Sequence, residues 1–364
     1  MINRNDSLRF LGYALLAVSL FFIFGPLNAE EVQLIQVRRG DTISYLSFKI
    51  YGMYDTRIED LLRRENPRVK DLNIIYPGQQ LRFPAPEAVR EALPGKPRRP
   101  EDPAKGTEAK EGRLPKDRPA GPEAIPAAQI RASKGVITLL EGQIQVKKAG
   151  ETEWSAARPN MILSENDQIR VLVKSRAELI LDNQSVLRLS ENTWLTIQKL
   201  EEDAATRKET ASMRLSLGKL WTRTAKLFNP SSRYDVTTPT AIAGVTGTVY
   251  QVGVAEDRST NIQVFQGAVN VYNPFPPGRP SPPGQGTQVG PPQEMTGPGE
   301  VPGPAVISRE EWTRIILRQF QQITVTDRDI SRPLTFDVTE QRQDEWVRWN
   351  EERDTDFQPP VRPR

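Results

Sequence analysis

Residues 238–250 read TPTAIAGVTGTVY, and this stretch decides the fold of the larger part of the chain. Valine, isoleucine, threonine and tyrosine favour strands, whereas Gly244 and Gly247 allow neighbouring backbones to approach closely. The stretch therefore predicts a turn and a strand built from small residues. A second interpretation is a surface for a partner protein. That candidate surface consists of Thr238, Pro239, Gly244, Val245, Thr246, Gly247 and Thr248.

Short runs of alternating apolar and polar residues surround this stretch and predict an all-β domain over residues 134–273. A period of two places one face of each strand in a core. We expect Trp154, Trp194 and Trp221 in that core rather than in a ligand platform, because large aromatic side chains dominate core burial. The other predicted core residues are Ile144, Val146, Ile169, Val171, Val173, Leu179, Leu181, Leu187, Leu189, Leu215, Leu217, Ile262, Val264, Val269 and Val271.

A weak internal repeat runs through the same domain. Residues 140–146 read LEGQIQV, residues 265–271 read FQGAVNV, and residues 217–220 read LGKL as a partial third copy. Recurrence of one short pattern is typical of stacked supersecondary units. The repeat therefore predicts stacked hairpins or a short β-roll.

The β-rich stretch is similar to the FecR domain, a bacterial periplasmic β domain. The similarity rests mainly on residues 142–146, 218–221 and 238–250, and the chain departs from the family at Thr246 and Tyr250, where arginine and phenylalanine are usual. The best-known members are membrane regulators with a cytoplasmic anti-sigma segment. Few residues precede the first apolar run here, so the resemblance implies a domain that binds or scaffolds rather than one that signals directly to transcription.

Residues 32–84 predict a small α+β unit of the order strand, helix, helix, strand. Alternating runs at its two ends can pair as strands, and apolar residues between them recur at helical spacing. Asp41 or Thr42 caps the first helix, and Gly52 suits a left-handed stop after it. Residues 56–59 read TRIE, a capping box that opens the second helix.

This unit closely resembles the LysM family through residues 37–43 (VRRGDTI), 66–67 (NP) and 75–81 (IYPGQQL). It departs at residues 47–49 (SFK), where LysM helices more often carry a small residue with polar neighbours. LysM domains bind N-acetylglucosamine-containing glycans, peptidoglycan in bacteria, in a groove between the loop after the first strand and the loop before the second. By this resemblance the groove residues are Gly40, Asp41, Thr42, Asn73, Ile74, Tyr76 and Pro77.

The chemistry of these groove residues suits a sugar ligand. Backbone amides and short polar side chains can hydrogen-bond acetamido groups, while Ile74 and Tyr76 pack on sugar faces. The alternative interpretation is that the same residues only build two turns and a helix cap. Both interpretations are compatible with each other.

The remaining segments predict export, spacing and a helical end. Residues 1–29 are typical of a signal peptide or an uncleaved N-terminal membrane anchor. Residues 85–133 and 274–305 are proline-rich and predict linkers without a core. Residues 306–364 predict a C-terminal helical tail with a frayed end, because Trp312, Ile315, Ile316 and Phe320 form an apolar stripe at helical spacing.

Composition limits the classes of function. Lysine and arginine total 49 against 46 acidic residues, and a net charge of +3 gives no field that would steer nucleic acid to the chain. The chain has no cysteine and no histidine, so it cannot build disulfides, thiolate metal sites or a Ser-His-Asp triad. No cofactor or metal motif is present, and we expect a non-enzymatic protein.

The sequence thus predicts a multidomain protein of the bacterial envelope, located in the periplasm or another extracytoplasmic compartment. The leading hypothesis is a scaffold that binds peptidoglycan through the first unit and another envelope protein through the second. One alternative is a periplasmic accessory that contacts a separate membrane regulator. The other is a cell-wall hydrolase that uses paired carboxylates, which require no histidine.

Overall fold

The computed structural model describes residues 32–92, 130–203, 205–226, 229–275, 307–308 and 312–358. These residues form a small α/β unit followed by a large β domain, which confirms the predicted fold class. The predicted export segment 1–29, the centre of the first linker and residues 276–305 of the second linker lie outside the described residues. No helix within the described ranges is long and apolar enough to cross a membrane.

The first unit has the predicted strand, helix, helix, strand order. It consists of β1 (Val32–Gln36), α1 (Ile43–Tyr51), α2 (Thr56–Glu65) and β2 (Gln80–Pro84). The two strands pair antiparallel along their full lengths. A further helix, α3 (Pro86–Ala92), follows at once and buries Val89, so the first residues of the predicted linker are in fact folded.

The helix ends follow local side-chain chemistry. Thr42 caps α1 by accepting a hydrogen bond from the Tyr45 amide, and Gly52 ends that helix with a φ of 71°. The predicted cap of α2 was one residue too late. Asp55, rather than the first residue of the TRIE run, accepts from two amides of the first turn, because a carboxylate is a stronger acceptor than a hydroxyl.

Within the residues that the structure describes, the β domain contains twenty strands and two helices. The strands are β3 (Ile130–Ala132), β4 (Gly135–Glu141), β5 (Ile144–Lys147), β6 (Ser155–Ala156), β7 (Ile162–Leu163), β8 (Gln168–Val171), β9 (Arg176–Leu181), β10 (Val186–Leu189), β11 (Thr193–Asp203), β12 (Glu209–Arg223), β13 (Arg233–Thr237), β14 (Ile242–Val245), β15 (Val249–Val254), β16 (Thr260–Gln266), β17 (Ala268–Tyr272), β18 (Ile307–Ser308), β19 (Arg314–Arg318), β20 (Gln321–Val325), β21 (Asp329–Ile330) and β22 (Leu334–Thr335). The helices are α4 (Val338–Gln341) and α5 (Glu345–Asp356).

The strands form two sheets that share β12. The first half of β12 pairs with β11 and, in parallel, with β13; its second half pairs with β10 and β15 in the other sheet. β3, at the end of the predicted first linker, pairs with β11. Most residues of the predicted alternating pattern lie in the core that the two sheets enclose. Val173 is an exception, because it lies just beyond the end of β8 and is 62% exposed.

The internal repeat marks the corners where the chain passes between the sheets. Gly142 joins β4 to β5, Gly218 lies at the change of sheet within β12, and Gly267 joins β16 to β17. Their φ angles are 84°, 90° and 86°, values that L side chains rarely adopt. The repeat therefore records a recurring glycine bend rather than a series of stacked hairpins.

The segment that was predicted to be a helix around residues 312–320 forms two β-strands, β19 and β20, which a tight turn joins and which lie in different sheets. β19 pairs with β17 and β20 pairs with β16, so both sheets gain a strand. Leu317 is buried while its neighbours Ile316 and Arg318 are exposed, which is the alternation of a strand. Phe320 makes the turn with a φ of 63°. The short apolar run is compatible with both the helical and the strand period. The segment forms strands because β16 and β17 each have an edge with which it can pair.

The C-terminal helix lies later than predicted, at α5, and it is packed rather than frayed. Asp344 caps its start by accepting from the Trp346 amide, and Val347 and Asn350 are fully buried. Phe357, directly after the helix, is also fully buried. This helix places its last residues against both folded units.

Candidate functional site

The candidate groove lies between two loops of the first unit. Residues 37–42 form the loop after β1, and residues 73–78 form the loop before β2. The amide of Val37 donates to Gln79, and the amide of Gly78 donates back to Val37, both at 2.8 Å. Asp41 tightens the first loop by accepting from the Arg38 amide at 2.7 Å. The predicted groove residues are therefore brought together by the backbone.

One side of the groove is open to solvent. Ile74 is 54% exposed and Tyr76 is 65% exposed, and Pro77 is exposed beside them. The Tyr76 amide donates to Oε1 of Gln79 at 3.0 Å, which holds the backbone of this loop. These exposed apolar surfaces can pack on a flat ligand without any rearrangement of the loop.

The other side of the groove contacts the β domain. Oγ1 of Thr42 donates to the carbonyl of Thr138 at 2.7 Å. Thr138 lies at a β-bulge, where the register between β4 and β9 shifts, and a bulge turns backbone groups out of the ladder. A Cβ added at Gly40 would lie 3.4 Å from Leu139 and 3.8 Å from Arg353, so this loop is packed closely.

Asn160 of the β domain joins the start of α1, directly after the first groove loop, to the second groove loop. Its Oδ1 accepts from the Ser44 amide at 2.9 Å, and its Nδ2 donates to Oδ1 of Asn73 at 2.9 Å. Asn160 adopts a φ of 64° and its own amide donates to Ile137 on β4, so the β domain fixes its position. No local sequence pattern indicates this residue, because Ser44 and Asn73 are more than 80 positions away from it.

Apolar packing holds the two units together beneath these polar contacts. Every residue of α1 from Ile43 to Phe48 is buried. Tyr45 and Phe48 belong to one apolar cluster with residues of the β domain and the C-terminal end, namely Val136, Ile180, Val186 and Phe357. The unusual phenylalanine in the first helix is therefore explained, because a helix that is buried on two sides needs apolar residues on both.

The end of α5 also contacts the first unit. The hydroxyl of Tyr45 donates to Asp356 at 2.7 Å, and Nζ of Lys49 lies 3.0 Å from the same carboxylate. Burial raises the pKa of Asp356, but the Tyr45 hydrogen bond and the Lys49 charge outweigh it, so the pKa is lowered overall. The carboxylate form is the one that holds α1 to α5.

A buried ionic cluster fixes α5 on the β domain. Nε of Arg188 lies 2.6 Å from Glu178, Nη2 of Arg353 lies 2.7 Å from Glu178, and Nη1 of Arg188 lies 2.7 Å from Asp354. Glu178 and Arg188 are fully buried. Burial raises the pKa of Glu178, but the charges of the two arginines exceed that effect and lower it to about 2. Oγ1 of Thr138 also donates to Glu178 at 2.9 Å, which connects this cluster to the groove.

The candidate partner surface at residues 238–250 is mostly internal. Thr238, Val245 and Thr248 are buried, and Oγ1 of Thr238 accepts from the Ala241 amide at 2.9 Å. A Cβ added at Gly244 would lie 3.0 Å from Asp235, which is the close approach that glycine permits. Of the seven proposed residues, Thr246 and Gly247 are exposed, so the predicted surface is reduced to the corner between β14 and β15.

Two aromatic residues differ from their predicted positions. Trp221 is fully buried as expected, but Trp194 is 43% exposed and Trp154 is half-buried. The two rings meet edge to face with their centroids 5.9 Å apart, and the Arg170 guanidinium lies 4.3 Å from the Trp154 ring.

Within the described ranges, no group of three histidine, cysteine or acidic residues could hold a metal ion.

Family comparisons agree with this architecture. Residues 35–84 match the model of the LysM domain, and residues 167–270 match the model of the FecR protein family. The chain therefore carries a LysM domain followed by a FecR domain. A comparison with curated proteins found no match.

Solved structures offer a partial similarity to the chain. Two crystal structures of a candidate anti-sigma factor from Parabacteroides distasonis ATCC 8503, at 2.50 Å and 1.65 Å resolution, are 15% and 16% identical to it. The TM-scores are 0.32 and 0.33. Each match covers 50% of this chain and 63% or 64% of the solved chain, which is less than two thirds of its length.

Proposed function

We propose that this protein is a non-catalytic protein of the bacterial envelope that binds the glycan strands of peptidoglycan through its LysM groove. In this proposal the FecR domain binds or scaffolds a second envelope component. The site of action is extracytoplasmic, most simply the periplasm. The observation that carries the proposal is the pair of exposed side chains, Ile74 and Tyr76, in the groove of a domain that matches LysM.

The geometry of the groove suits an acetamido sugar. Its inner end holds the Ser44 amide in the first turn of α1, a position whose amide has no acceptor within its own helix, and this amide donates to Asn160 in the structure. Its outer end offers the apolar faces of Ile74 and Tyr76. A ligand with a flat ring can pack on the outer end, and an amide on the same ligand matches the hydrogen-bonding chemistry of the inner end.

Replacement of Tyr76 by alanine tests this role. We expect roughly two- to twelvefold weaker binding of the full chain to insoluble peptidoglycan sacculi, because an aromatic contact contributes about 0.5–1.5 kcal/mol. Tyr76 is exposed, so the melting temperature should change little. Binding is measured as the fraction of protein pelleted against the amount of sacculi.

Leu34→Ala is the matched control, since Leu34 lies in the same unit, is 63% exposed and is on β1 rather than in the groove loops. The control should pellet like the wild type. Failure of the wild-type chain to pellet would contradict the proposal. Release of soluble muropeptides from the sacculi would instead favour the hydrolase.

A signalling accessory is the second candidate function, and the FecR match over residues 167–270 is the observation that favours it. It differs from the scaffold only in the partner of the β domain. The exposed corner at Thr246 and Gly247 is the part of the family motif that a partner can reach.

A further inference from the structure

The inner end of the LysM groove is already occupied by a side chain of the FecR domain. Asn160 reaches between the two groove loops, where its amide oxygen accepts from Ser44 and its amide nitrogen donates to Asn73, each at 2.9 Å. Asn160 is only 7% exposed there. A single side chain thus bridges the two walls of the groove.

The chemistry of this contact matches the chemistry of the proposed ligand. A primary carboxamide and an acetamido group are both planar amides that offer one carbonyl acceptor and an N–H donor. From this match we infer that the Asn160 side chain takes the place of the N-acetyl group of a bound glycan. The glycan and the FecR domain therefore compete for the groove. This inference rests on the proposed glycan binding and adds a regulated, two-state groove to it.

The docked state is held by more than Asn160. Thr42 donates to Thr138, and Gln184 donates from Nε2 to the carbonyl of Gly52 at 3.1 Å, on the opposite end of α1. Asp356 adds its contacts to Tyr45 and Lys49. All of these contacts join the first unit to the β domain or to α5, so they are lost together when the two units separate.

The outer half of the groove stays free while the inner half is occupied. Ile74 and Tyr76 are more than half exposed in the docked state. A glycan can therefore make its first contact there and then replace Asn160. The apparent affinity for glycan is lower than the affinity of the open groove, because only the undocked fraction of molecules can bind fully.

Asn160→Gly is the sharpest variant, because glycine removes the amide and keeps the left-handed backbone. In calorimetric titration of the full chain with chitotetraose, the tetramer of N-acetylglucosamine, we expect roughly tenfold tighter binding than in the wild type. Asn166→Gly is the matched control, since Asn166 is exposed, has a φ of 67° and lies in the same domain. The control should bind chitotetraose like the wild type.

Asp356→Ala provides a second test outside the groove. Its carboxylate is partly exposed. Its contact with a groove loop is an ion pair at 3.9 Å with Arg38, whose side chain is largely exposed and which is not one of the seven predicted groove residues, so the substitution loosens docking and leaves those seven residues in place. It should tighten chitotetraose binding in the same direction as Asn160→Gly. A value of Kd equal to the wild type in both variants would overturn the competition and leave the proposed function standing. Absence of binding in all four proteins would overturn both.

Discussion

Replacement of Glu178 by alanine is expected to lower the free energy of unfolding by about 3–5 kcal/mol, the usual effect of removing one partner of a buried ion pair. Glu178 is fully buried and accepts from Arg188 and Arg353. Among the described residues, Nη2 of Arg188 has no partner even in the intact cluster. Removal of the carboxylate leaves a buried guanidinium with only Asp354 to balance its charge, and α5 loses its anchor on the β domain.

Urea unfolding at pH 7, followed by tryptophan fluorescence, measures this loss. Glu151→Ala is the control, because Glu151 is an exposed residue of the same domain and its substitution should change stability by less than about 0.5 kcal/mol. The pKa of Glu178 is lowered from its usual 4.5 to about 2, so its contribution is complete above the unfolded pKa and is lost as the pH falls towards 2. The difference between wild type and variant should therefore shrink at pH 3. An unchanged difference at pH 3 would contradict the charge argument.

Gly218→Ala is expected to destabilise the protein by about 3 kcal/mol, since a positive φ costs an L residue about 1–2 kcal/mol and overpacking adds a similar amount. Gly218 has a φ of 90° at the point where β12 passes from one sheet to the other. A Cβ there would lie 2.5 Å from Cα of Thr193 and 2.7 Å from the carbonyl oxygen of Asn192. Both obstacles are backbone atoms, which cannot move aside as a flexible side chain can.

Gly150→Ala separates the two causes. Gly150 has a φ of 81°, but a Cβ there meets no atom within 4 Å. The control should therefore show only the conformational cost, about 1–2 kcal/mol. Equal losses for the two variants in chemical denaturation would mean that the sheet corner is not tightly packed.

The βααβ unit and most of the β core could be predicted because they depend on local periodicity. Ile144, Val146, Val269 and Val271 alternate within short strands, and the structure buries all four. The repeat glycines were also visible in the sequence, but their role was not. A shared glycine indicates a recurring bend, whereas only the pairing of each flanking strand reveals that the bend changes sheets.

The docking of the two units could not be predicted, because its contacts join residues far apart in the chain. Thr42 meets Thr138 and Tyr45 meets Asp356, and neither pair has a local signature. One signal was present in α1, where Tyr45 and Phe48 add a second apolar face to a helix whose first face already fills the LysM core. Such a helix predicts burial on both sides.

The strand pair β19 and β20 was mistaken for a helix for a related reason. Ile315, Ile316 and Phe320 fit a helical stripe, and isoleucine and phenylalanine also favour strands. Tertiary structure determines that this segment forms strands, since β20 pairs with the edge of β16 and β19 pairs with the edge of β17. A local pattern cannot report the presence of an unfilled edge.

Competition between glycan and FecR domain for the groove is tested most directly by the distance between the two units. Because the chain has no cysteine, the variant Leu34→Cys, Val173→Cys accepts a donor and an acceptor dye at two positions that are each more than 60% exposed. We expect that saturating chitotetraose lowers the energy-transfer efficiency, and that in the Asn160→Gly background the same decrease occurs at a smaller glycan concentration. An efficiency that stays constant while calorimetry shows chitotetraose bound would contradict the competition.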